Sequence, residues 1–576
     1  MEHKKGDKIK KKEGLFGLNK KQIASIGITS IVAFGIIFGG TIFVLQLTEE
    51  EGDHLICAIA YYGESIDPLI QSMSPDTIIY DQVIEGLYIS DQFTKNCPTI
   101  YNLAVNDSWS PDYLNFTCSL RKGVKFHDGT EFNATAVKWN FDRIHRLLDN
   151  LSWPYAFINN EGDTIINKTQ IIDEYTVRFV LNKPFVPIRE LLSAWNTYIL
   201  SPTSTPENDF LDSETDKLIG TGPFIMGSIT LTEEKYIDKV TFTANPDYWG
   251  GEPQISKVTL IQLSREERSE GLASGELSYS YGSHDPELIE WYRNLPGYTL
   301  ITKTSKALKF MTMNNDVFPV EMRKAFSYAL NYSYFFNVFT AGLAVRVKSP
   351  LSKGLLYSNW EDFNLPDYDI TIARQTLIDA SWPNTTGLTA NNNVSAGNEW
   401  EQLVTDGNPL AIYNFSISVE DGIPNGAHMF IYNTISNDFK HIGVKIEPLY
   451  MSRWDWYIKL MTGGMEFFYS GWAPAFNDPI DNINPVYSNK SDGIFNHLNF
   501  SDPQIQQWID DGIEEFNETK REVIYFNIQK RLIEELYPVI WLDCSYDYDI
   551  WASNIKGIPH ELPYFKFILK HVYIEK

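Results

Sequence analysis

The feature that most constrains this chain is a stretch of 25 residues without a charge, residues 23–47 (IASIGITSIVAFGIIFGGTIFVLQL). At 1.5 Å per residue, a helix of this length exceeds the roughly 30 Å of hydrocarbon in a bilayer. Eight lysines precede the stretch, and three glutamates follow it at residues 49–51. Because cytoplasmic flanks carry the excess of Lys and Arg, this asymmetry predicts a single-pass protein of the cell membrane. It assigns residues 1–22 to a basic cytoplasmic tail, residues 23–47 to a transmembrane anchor, and the remainder to an extracellular ectodomain.

A cleaved signal peptide is the alternative interpretation of the same stretch. The apolar region of a signal peptide usually has about 7 to 15 residues and ends at a small-residue site of the Ala-x-Ala kind. The stretch here is longer and has no such site, and the first cysteine, Cys57, does not follow it directly as in a lipoprotein. The sequence therefore favours an uncleaved helix.

Length and composition exclude several classes of protein. The chain has 576 residues, which is too many for one ordinary core, so we expect several packed lobes. Hydrophobic residues make up 43% and aromatic residues 14%, which excludes wholesale disorder. The net charge is −26, and the part beyond the lysine-rich tail is more acidic still. Such a surface repels nucleic acid, so we expect no nucleic-acid partner.

Sequons and cysteines agree with an extracellular location. Twelve Asn-x-Ser/Thr sites all lie after the predicted anchor, which is typical of a glycoprotein. The four cysteines permit one or two disulfides, and free buried thiols are the alternative. Neither a CxxC pair nor a Cys/His cluster indicates zinc, and we expect no metal, cofactor or catalytic residue. The sequons are at Asn106, Asn115, Asn133, Asn150, Asn167, Asn331, Asn384, Asn393, Asn414, Asn489, Asn499 and Asn517, and the cysteines are Cys57, Cys97, Cys118 and Cys544.

Hydrophobic spacing predicts a mixture of strands and helices. Residues 114–120 alternate between apolar and polar side chains, as in a half-buried strand. Apolar residues recur at helical spacing between Asn133 and Leu148, with Asn133 or Thr135 as the start. Asp502 followed by proline is a typical helix start. Further predicted helices are 319–339, 372–380 and 520–535, and further predicted strands are 538–552 and 564–576.

Eight short segments, taken in their order and spacing, resemble the family 5 extracellular solute-binding proteins over nearly all of residues 53–576. These proteins are the dipeptide- and oligopeptide-binding components of ABC transporters. The segments are SIDP at 65–68, EGLYISD at 85–91, NLAVNDSWSPDYLNFTCSLRKGVKFHDGTEFNATAVKWNFDRI at 102–144, GTGPF at 220–224, NPDYWGGEPQISKV at 245–258, SGEL at 274–277, MNNDVFPVEMRKAFSYALN at 313–331 and GWAPAFNDP at 471–479.

The resemblance implies an α/β fold of the periplasmic-binding-protein type, a three-lobed clamshell of the type II, peptide-binding class behind the N-terminal transmembrane helix. Lobe I would comprise residues 53–84, 201–303 and 554–576. Lobe II would comprise residues 85–200, and lobe III residues 304–553. Closure of the lobes around a solute would produce the form that an ABC permease recognises.

The resemblance also implies ligand-binding residues in the cleft. Peptide binders of this family carry an acidic residue three positions after the Trp of the Gly-Trp motif, where it pairs with the α-ammonium of the peptide. In this chain that Trp is Trp472, and the third position is Ala475. Asp478 matches the acidic residue before the proline of the motif. Candidate pocket residues are Trp472, Trp454, Tyr62, Glu64, Asp478, Trp153 and Tyr155.

The predicted function is therefore capture of a peptide or a similar oligomeric solute and its delivery to ABC permease and ATPase subunits. Because Ala475 has no carboxylate, an oligosaccharide is the alternative cargo, and aromatic faces suit both. An extracellular hydrolase is a rival class, although HExxH, GxSxG and P-loop patterns are absent from the sequence. A surface-display protein with the same fold is another. The sequons and the uncleaved anchor favour an archaeon as the source.

Overall fold

The structure is a computed structural model that describes residues 53–59, 63, 65–70, 77–91, 93–94, 96–148, 151, 163–283, 285–420, 422–491, 496–559 and 567–575. Residues 53–576 form one unit. The predicted tail and anchor lie outside the described residues. Within those residues, no helix is both long and apolar enough to cross a bilayer.

Alternating burial follows the strands, as the sequence predicts for residues 114–120. In the strand Asn115–Leu120, Phe116, Cys118 and Leu120 are buried, whereas the residues between them are only partly covered. The strands are, in chain order, β1 (His54–Ile59), β2 (Tyr88–Ser90), β3 (Thr99–Tyr101), β4 (Ala104–Trp109), β5 (Asn115–Leu120), β6 (Ile166–Asp173), β7 (Thr176–Leu181), β8 (Phe224–Leu231), β9 (Ile237–Ala244), β10 (Lys257–Gln262), β11 (Tyr279–Tyr281), β12 (Tyr298–Thr304), β13 (Leu308–Met313), β14 (Ala344–Arg346), β15 (Ala411–Glu420), β16 (Ile423–Pro424), β17 (Val444–Ser452), β18 (Phe467–Trp472), β19 (Val539–Trp541), β20 (Asp543–Ala552), β21 (Ile555–Lys556) and β22 (Tyr573–Ile574).

Helices begin where a short polar side chain accepts hydrogen bonds from free backbone N–H groups. Asn133 Oδ1 accepts from the backbone N–H groups of residues 135 and 136, and Asp502 Oδ1 accepts from that of Ile505 at 2.9 Å. Both predicted helix starts are confirmed. The α-helices are Thr77–Val83, Ala134–Leu147, Ile188–Leu191, Arg265–Ser274, Pro286–Arg293, Val320–Ala329, Tyr332–Tyr334, Ile370–Asp379, Glu399–Thr405, Gly426–Phe439, Arg453–Met461, Ile480–Tyr487, Pro503–Glu514 and Glu518–Arg531.

Two predicted elements differ from the observed ones. The predicted helix 319–339 is interrupted, because Leu330 has an extended backbone, and it resumes as a short α-helix followed by the π-helix Phe335–Phe339. The predicted strand at 564–576 is reduced, in the described part of the chain, to Tyr573–Ile574. Apolar residues of this segment, such as Leu569, instead pack into a core.

Three sheets organise the fold. Sheet I has the strand order β12-β20-β11-β1-β10-β9-β8, with β14 paired to β20. Sheet II has the order β4-β5-β7-β6, and sheet III the order β16-β15-β18-β13-β19, with β17 paired to β15. Strand β20 falls within residues 304–553, the range expected for lobe III. It nevertheless hydrogen-bonds to β11 and β12 in sheet I.

Separate hydrophobic cores support the sheets. One core, which includes Leu260, packs on sheet I. A second, which includes Phe415, packs on one side of sheet III. A third contains both Phe179 of sheet II and Trp541 of sheet III. Sheet II is therefore joined to sheet III through a shared core.

The carboxylate of Glu85 joins three of the segments that carry the family resemblance. Its oxygens accept hydrogen bonds from Thr221 Oγ1 at 2.8 Å, Tyr248 OH at 2.8 Å and Trp249 Nε1 at 2.7 Å. Gly222 approaches the same region so closely that a Cβ atom there would lie 2.7 Å from backbone atoms of residues 82 and 83. The segments EGLYISD, GTGPF and NPDYW thus form one structural junction, which agrees with a packing role for Tyr248 and Trp249.

A buried ion pair joins the SIDP segment to the helix Ala134–Leu147. Asp67 Oδ2 lies 2.6 Å from Arg143 Nη2, and both side chains are at most 1% exposed. Arg143 also donates to the carbonyl oxygens of Pro206 and Asp209. The guanidinium is thereby satisfied by one carboxylate and two carbonyls.

All four cysteines are buried and no disulfide joins them in the structure, which agrees with the alternative of buried thiols. Burial raises the pKa of the Cys118 thiol to about 12 and that of the Cys544 thiol to about 12. The thiols of Cys118 and Cys544 are therefore protonated at neutral pH.

Loss of the Asp67 carboxylate is expected to destabilise the protein strongly. Asp67→Ala leaves Arg143 buried without its counter-charge, which typically costs about 3–5 kcal/mol. Asp142→Ala is the matched control, because the Lys138–Asp142 pair lies on the surface and such pairs contribute about 0–1 kcal/mol. The melting temperatures of the two variants are compared by thermal unfolding. Equal, small shifts would contradict the structural role of the buried pair.

Candidate functional site

The parallel strands of sheet I end at one edge. Strand β1 runs parallel to β10 and β11, and the three strands end at Ile59, Gln262 and Tyr281. Ligands of such sheets bind beyond the carboxyl ends of parallel strands. Tyr62 and Glu64 follow β1 directly, but both lie outside the described residues, so their place in a pocket stays a prediction.

Sheet III has a corresponding edge. Strand β15 runs parallel to both β17 and β18, and the three end at Glu420, Ser452 and Trp472. The helix Arg453–Met461 starts immediately after β17 with Ser452 as its N-cap. Its first turn carries Trp454, which is 69% exposed and stacks on Tyr457 with ring centroids 6.1 Å apart. Trp454 and Trp472 therefore lie at the same edge of sheet III.

The two edges meet at a double connection between the sheets. The chain passes from β12 to β13 through residues 305–307 and returns from β19 to β20 through Leu542. Leu542 N–H donates to Lys309 O at 3.1 Å, and Ser305 N–H donates to Ser545 O at 2.9 Å, so the two crossings are paired. Trp472 pairs with Leu308 at the start of β13. The carboxyl edges of sheets I and III thus both lie at this paired connection.

Trp472 shapes the loop that follows it. Its side chain is partly buried against the core shared with sheet II, and its Nε1 donates to Asp481 O at 2.6 Å. The Asp481 carboxylate accepts from the backbone N–H groups of Ala475 and Phe476. The backbone of the loop is therefore fixed by its own acidic residue, and Ala475 is only 8% exposed.

Asp478 is engaged inside the protein. Its carboxylate is 1% exposed and forms a bidentate pair with Arg521, at 2.7 Å and 2.9 Å. Asp478 Oδ1 also accepts from the backbone N–H of Ile480 at 3.0 Å. A ligand ammonium would have to compete with Arg521 for this carboxylate, so the geometry favours a structural role, and a binding role stays a prediction. Trp153 and Tyr155 lie outside the described residues.

Sequence reasoning did not single out a group of polar and aromatic residues at this edge. Tyr469 OH donates to Asp543 Oδ1 at 3.1 Å, which links sheet III to the first residue of β20. The His428 ring lies 5.4 Å from the ring of Trp456 and 6.4 Å from that of Tyr469. These four residues come from four separate segments, so no local motif marks them. Only the pairing of the strands brings them together.

The charges of the site do not suggest a metal centre. Across the part of the chain that the structure describes, no group of three or more His, Cys, Asp or Glu side chains could hold a metal ion. Burial raises the pKa of the Asp543 carboxyl, with hydrogen bonds from Tyr469 and Ser545 opposing the rise. The arrangement offers aromatic faces and hydrogen-bonding groups rather than a reactive nucleophile and base.

Comparison with known proteins gives the fold and the family. The chain is 24% identical over 488 residues to the glutathione-binding protein GsiB of Pectobacterium atrosepticum, which covers 83% of this chain and 86% of that protein. Its structure matches the periplasmic binding protein DppA of Helicobacter pylori in complex with the peptide STSA, with a TM-score of 0.72, 20% identity, and coverage of 91% and 98% of the two chains. It also matches NikZ of Campylobacter jejuni in complex with Ni(L-His), with a TM-score of 0.70, 18% identity, and coverage of 91% and 100%. These matches show the α/β fold of the periplasmic binding proteins.

The family model described as bacterial extracellular solute-binding proteins, family 5 (middle), matches residues 99–493 of this chain. The match covers more than half of the chain and includes the loop after Trp472. The chain therefore belongs to the family 5 extracellular solute-binding proteins, which bind solutes and are not enzymes.

Proposed function

We propose that this protein captures a peptide or a similar oligomeric solute in the cleft between sheets I and III and delivers it to an ABC importer. The observation that carries the proposal is the convergence of the carboxyl edges of both sheets on one paired connection. This geometry lets a solute contact both lobes at once. The expected partners are the permease and ATPase subunits of the importer.

Movement about the paired connection would couple solute binding to a change in the shape of the protein. Residues 305–307 and Leu542 are short crossings between sheets I and III, and the longer segments on either side of β14 also connect the two sheets. Rotation there would move the two carboxyl edges towards each other, as in hinge motions of binding proteins. A solute that contacts both edges stabilises the closed form by its differential affinity for that form. The permease would then recognise the closed lobes.

The class of cargo is inferred from this chain's own residues and from what its relatives bind. The names of the relatives mention glutathione and a peptide, which favours a peptide-like cargo for this chain. Ala475 supplies no carboxylate for a free α-ammonium, and Asp478 and Asp481 hold the surrounding loop. A cargo without a free amine at this position, either a blocked peptide or an oligosaccharide, fits these residues best. The exposed Trp454 ring suits both.

A thermal-shift screen against peptides and oligosaccharides tests the proposal. A true ligand at a hundredfold its dissociation constant should stabilise the protein by about 2.7 kcal/mol. Trp454→Ala should weaken binding at least tenfold with little change in melting temperature, because the side chain is 69% exposed. Tyr368→Ala, at an exposed aromatic near Asp438 and the opposite end of sheet III, is the control. The absence of any shift across both panels would contradict solute capture, and an unchanged affinity would remove Trp454 from the pocket.

We further infer that residues 23–47 anchor the protein in the membrane, with residues 1–22 in the cytoplasm and the lobes outside. The length of the uncharged stretch and the lysines before it support this arrangement. An extracellular ectodomain would expose its sequons to glycosylation, as in an archaeal surface protein. Of the eleven sequon asparagines that the structure describes, six are solvent-exposed: Asn106, Asn167, Asn384, Asn393, Asn489 and Asn517.

Fractionation and mass spectrometry of the native protein test the anchor. The full chain should remain in the membrane after a high-salt wash and retain its N-terminal peptides, with sugar on the exposed sequons. A chain that lacks residues 1–47 should be soluble, whereas a chain that lacks only residues 2–22 should still associate with the membrane. A soluble mature protein that begins near residue 48 would instead indicate a cleaved signal peptide.

A further inference from the structure

Two buried hydrogen-bond donors next to the cleft edge of sheet III have no partner among the described residues. Ser416 on β15 is 0% exposed, and its Oγ makes no hydrogen bond there. The indole Nε1 of Trp456 is also buried and unpaired within the described residues. Each unpaired buried donor carries a desolvation penalty, and in native proteins such groups usually serve a ligand or an ordered water.

The register places these donors on one side of sheet III. Phe415 of β15 pairs with Phe467 of β18, so Ser416 lies beside Phe468. Phe415 and Ile417 point into the core on the other side, which directs Ser416 towards the face that carries Phe468. The Trp456 ring contacts the same Phe468, with centroids 6.3 Å apart. The helix Arg453–Met461 covers this face of the sheet.

His428 supplies a third donor. The backbone N–H of Ser418 donates to His428 Nδ1 at 3.2 Å, so Nδ1 is an acceptor and carries no proton. Burial lowers the pKa of His428 to about 4, so the imidazole is neutral at physiological pH. The proton of the neutral ring is therefore on Nε2. The ring lies 5.4 Å from that of Trp456, so Nε2–H belongs to the same group of donors.

The side chains of Ser416, His428 and Trp456 are uncharged at neutral pH, because burial lowers the pKa of His428 to about 4. The nearby hydroxyls of Thr312 and Ser470 bond to each other at 2.6 Å. A buried carboxylate or ammonium would lack a counter-charge here, which is costly. An uncharged acceptor oxygen avoids that cost.

We propose that Ser416, His428 and Trp456 form a subsite of the cargo pocket that accepts an uncharged oxygen, either a carbonyl or a hydroxyl. The subsite lies close to Trp454, because Trp456 is in the same helix. Ser418, whose backbone N–H donates to His428, is two residues from the end of β15. This proposal rests on the proposed solute capture and narrows it. Together with Ala475, it means that lobe III selects an uncharged part of the cargo.

Calorimetric titration of the full-length protein with three probes tests the subsite. The probes are N-acetyl-trialanine amide, free trialanine and maltotriose. Binding of the blocked peptide identifies a carbonyl ligand, and binding of maltotriose identifies a hydroxyl ligand. Ser416→Ala and Trp456→Phe should each weaken the uncharged probe between about twofold and tenfold, the usual range for one hydrogen bond. The melting temperature should not fall in Ser416→Ala, because an unpaired hydroxyl contributes no stability.

The controls are Ser204→Ala and Trp291→Phe, which make the same chemical changes in residues remote from sheet III. Unchanged affinity in Ser416→Ala and Trp456→Phe would overturn the proposal and assign the donors to trapped water. Binding of free trialanine alone would also overturn the proposal while solute capture stands. Failure of all three probes overturns the subsite as described here. Solute capture itself is contradicted only if no peptide or oligosaccharide of the wider thermal-shift panels changes the melting temperature.

Discussion

The pairing of two backbone crossings between sheets I and III is the constraint on which the rest of the structure depends. Residues 305–307 and Leu542 are held side by side by backbone hydrogen bonds to β20 and β13. The Cys544 thiol donates to Ser305 O at 2.6 Å in the same region. Because the crossings are adjacent, the carboxyl ends of the parallel strands of both sheets lie next to them. This topology determines the position of the proposed cleft.

Most segments that reveal the family serve to build this frame rather than to bind cargo. Glu85 gathers Thr221, Tyr248 and Trp249, and the buried Asp67–Arg143 pair joins the first segment to the helix Ala134–Leu147. The Asp478–Arg521 pair has the same function in lobe III. A buried charge is tolerated only with a partner, so each of these residues requires its neighbours.

The sequence therefore predicted the frame better than the site. Helix starts at Asn133 and Asp502 depend on local hydrogen bonds and were confirmed. The resemblance named Trp454 and Trp472 as pocket residues, which stays a prediction, and it gave no sign of the ion pair between Asp478 and Arg521. Ser416, His428 and Trp456 are ordinary residues in the sequence, because their proposed role arises from strand register and from the unpaired buried donors of Ser416 and Trp456 among the described residues. Strand β20 shows the same limit, since its membership of sheet I depends on pairing over long sequence distance.

Small-angle X-ray scattering of residues 53–576, with and without a solute identified in the thermal-shift screen, tests closure of the lobes about the paired crossings. We expect the radius of gyration to decrease on binding, because the solute contacts both edges and closes the cleft. We also expect melting temperature and compaction to rise together with solute concentration. A bound solute that leaves the radius of gyration unchanged would contradict capture by closure of the lobes.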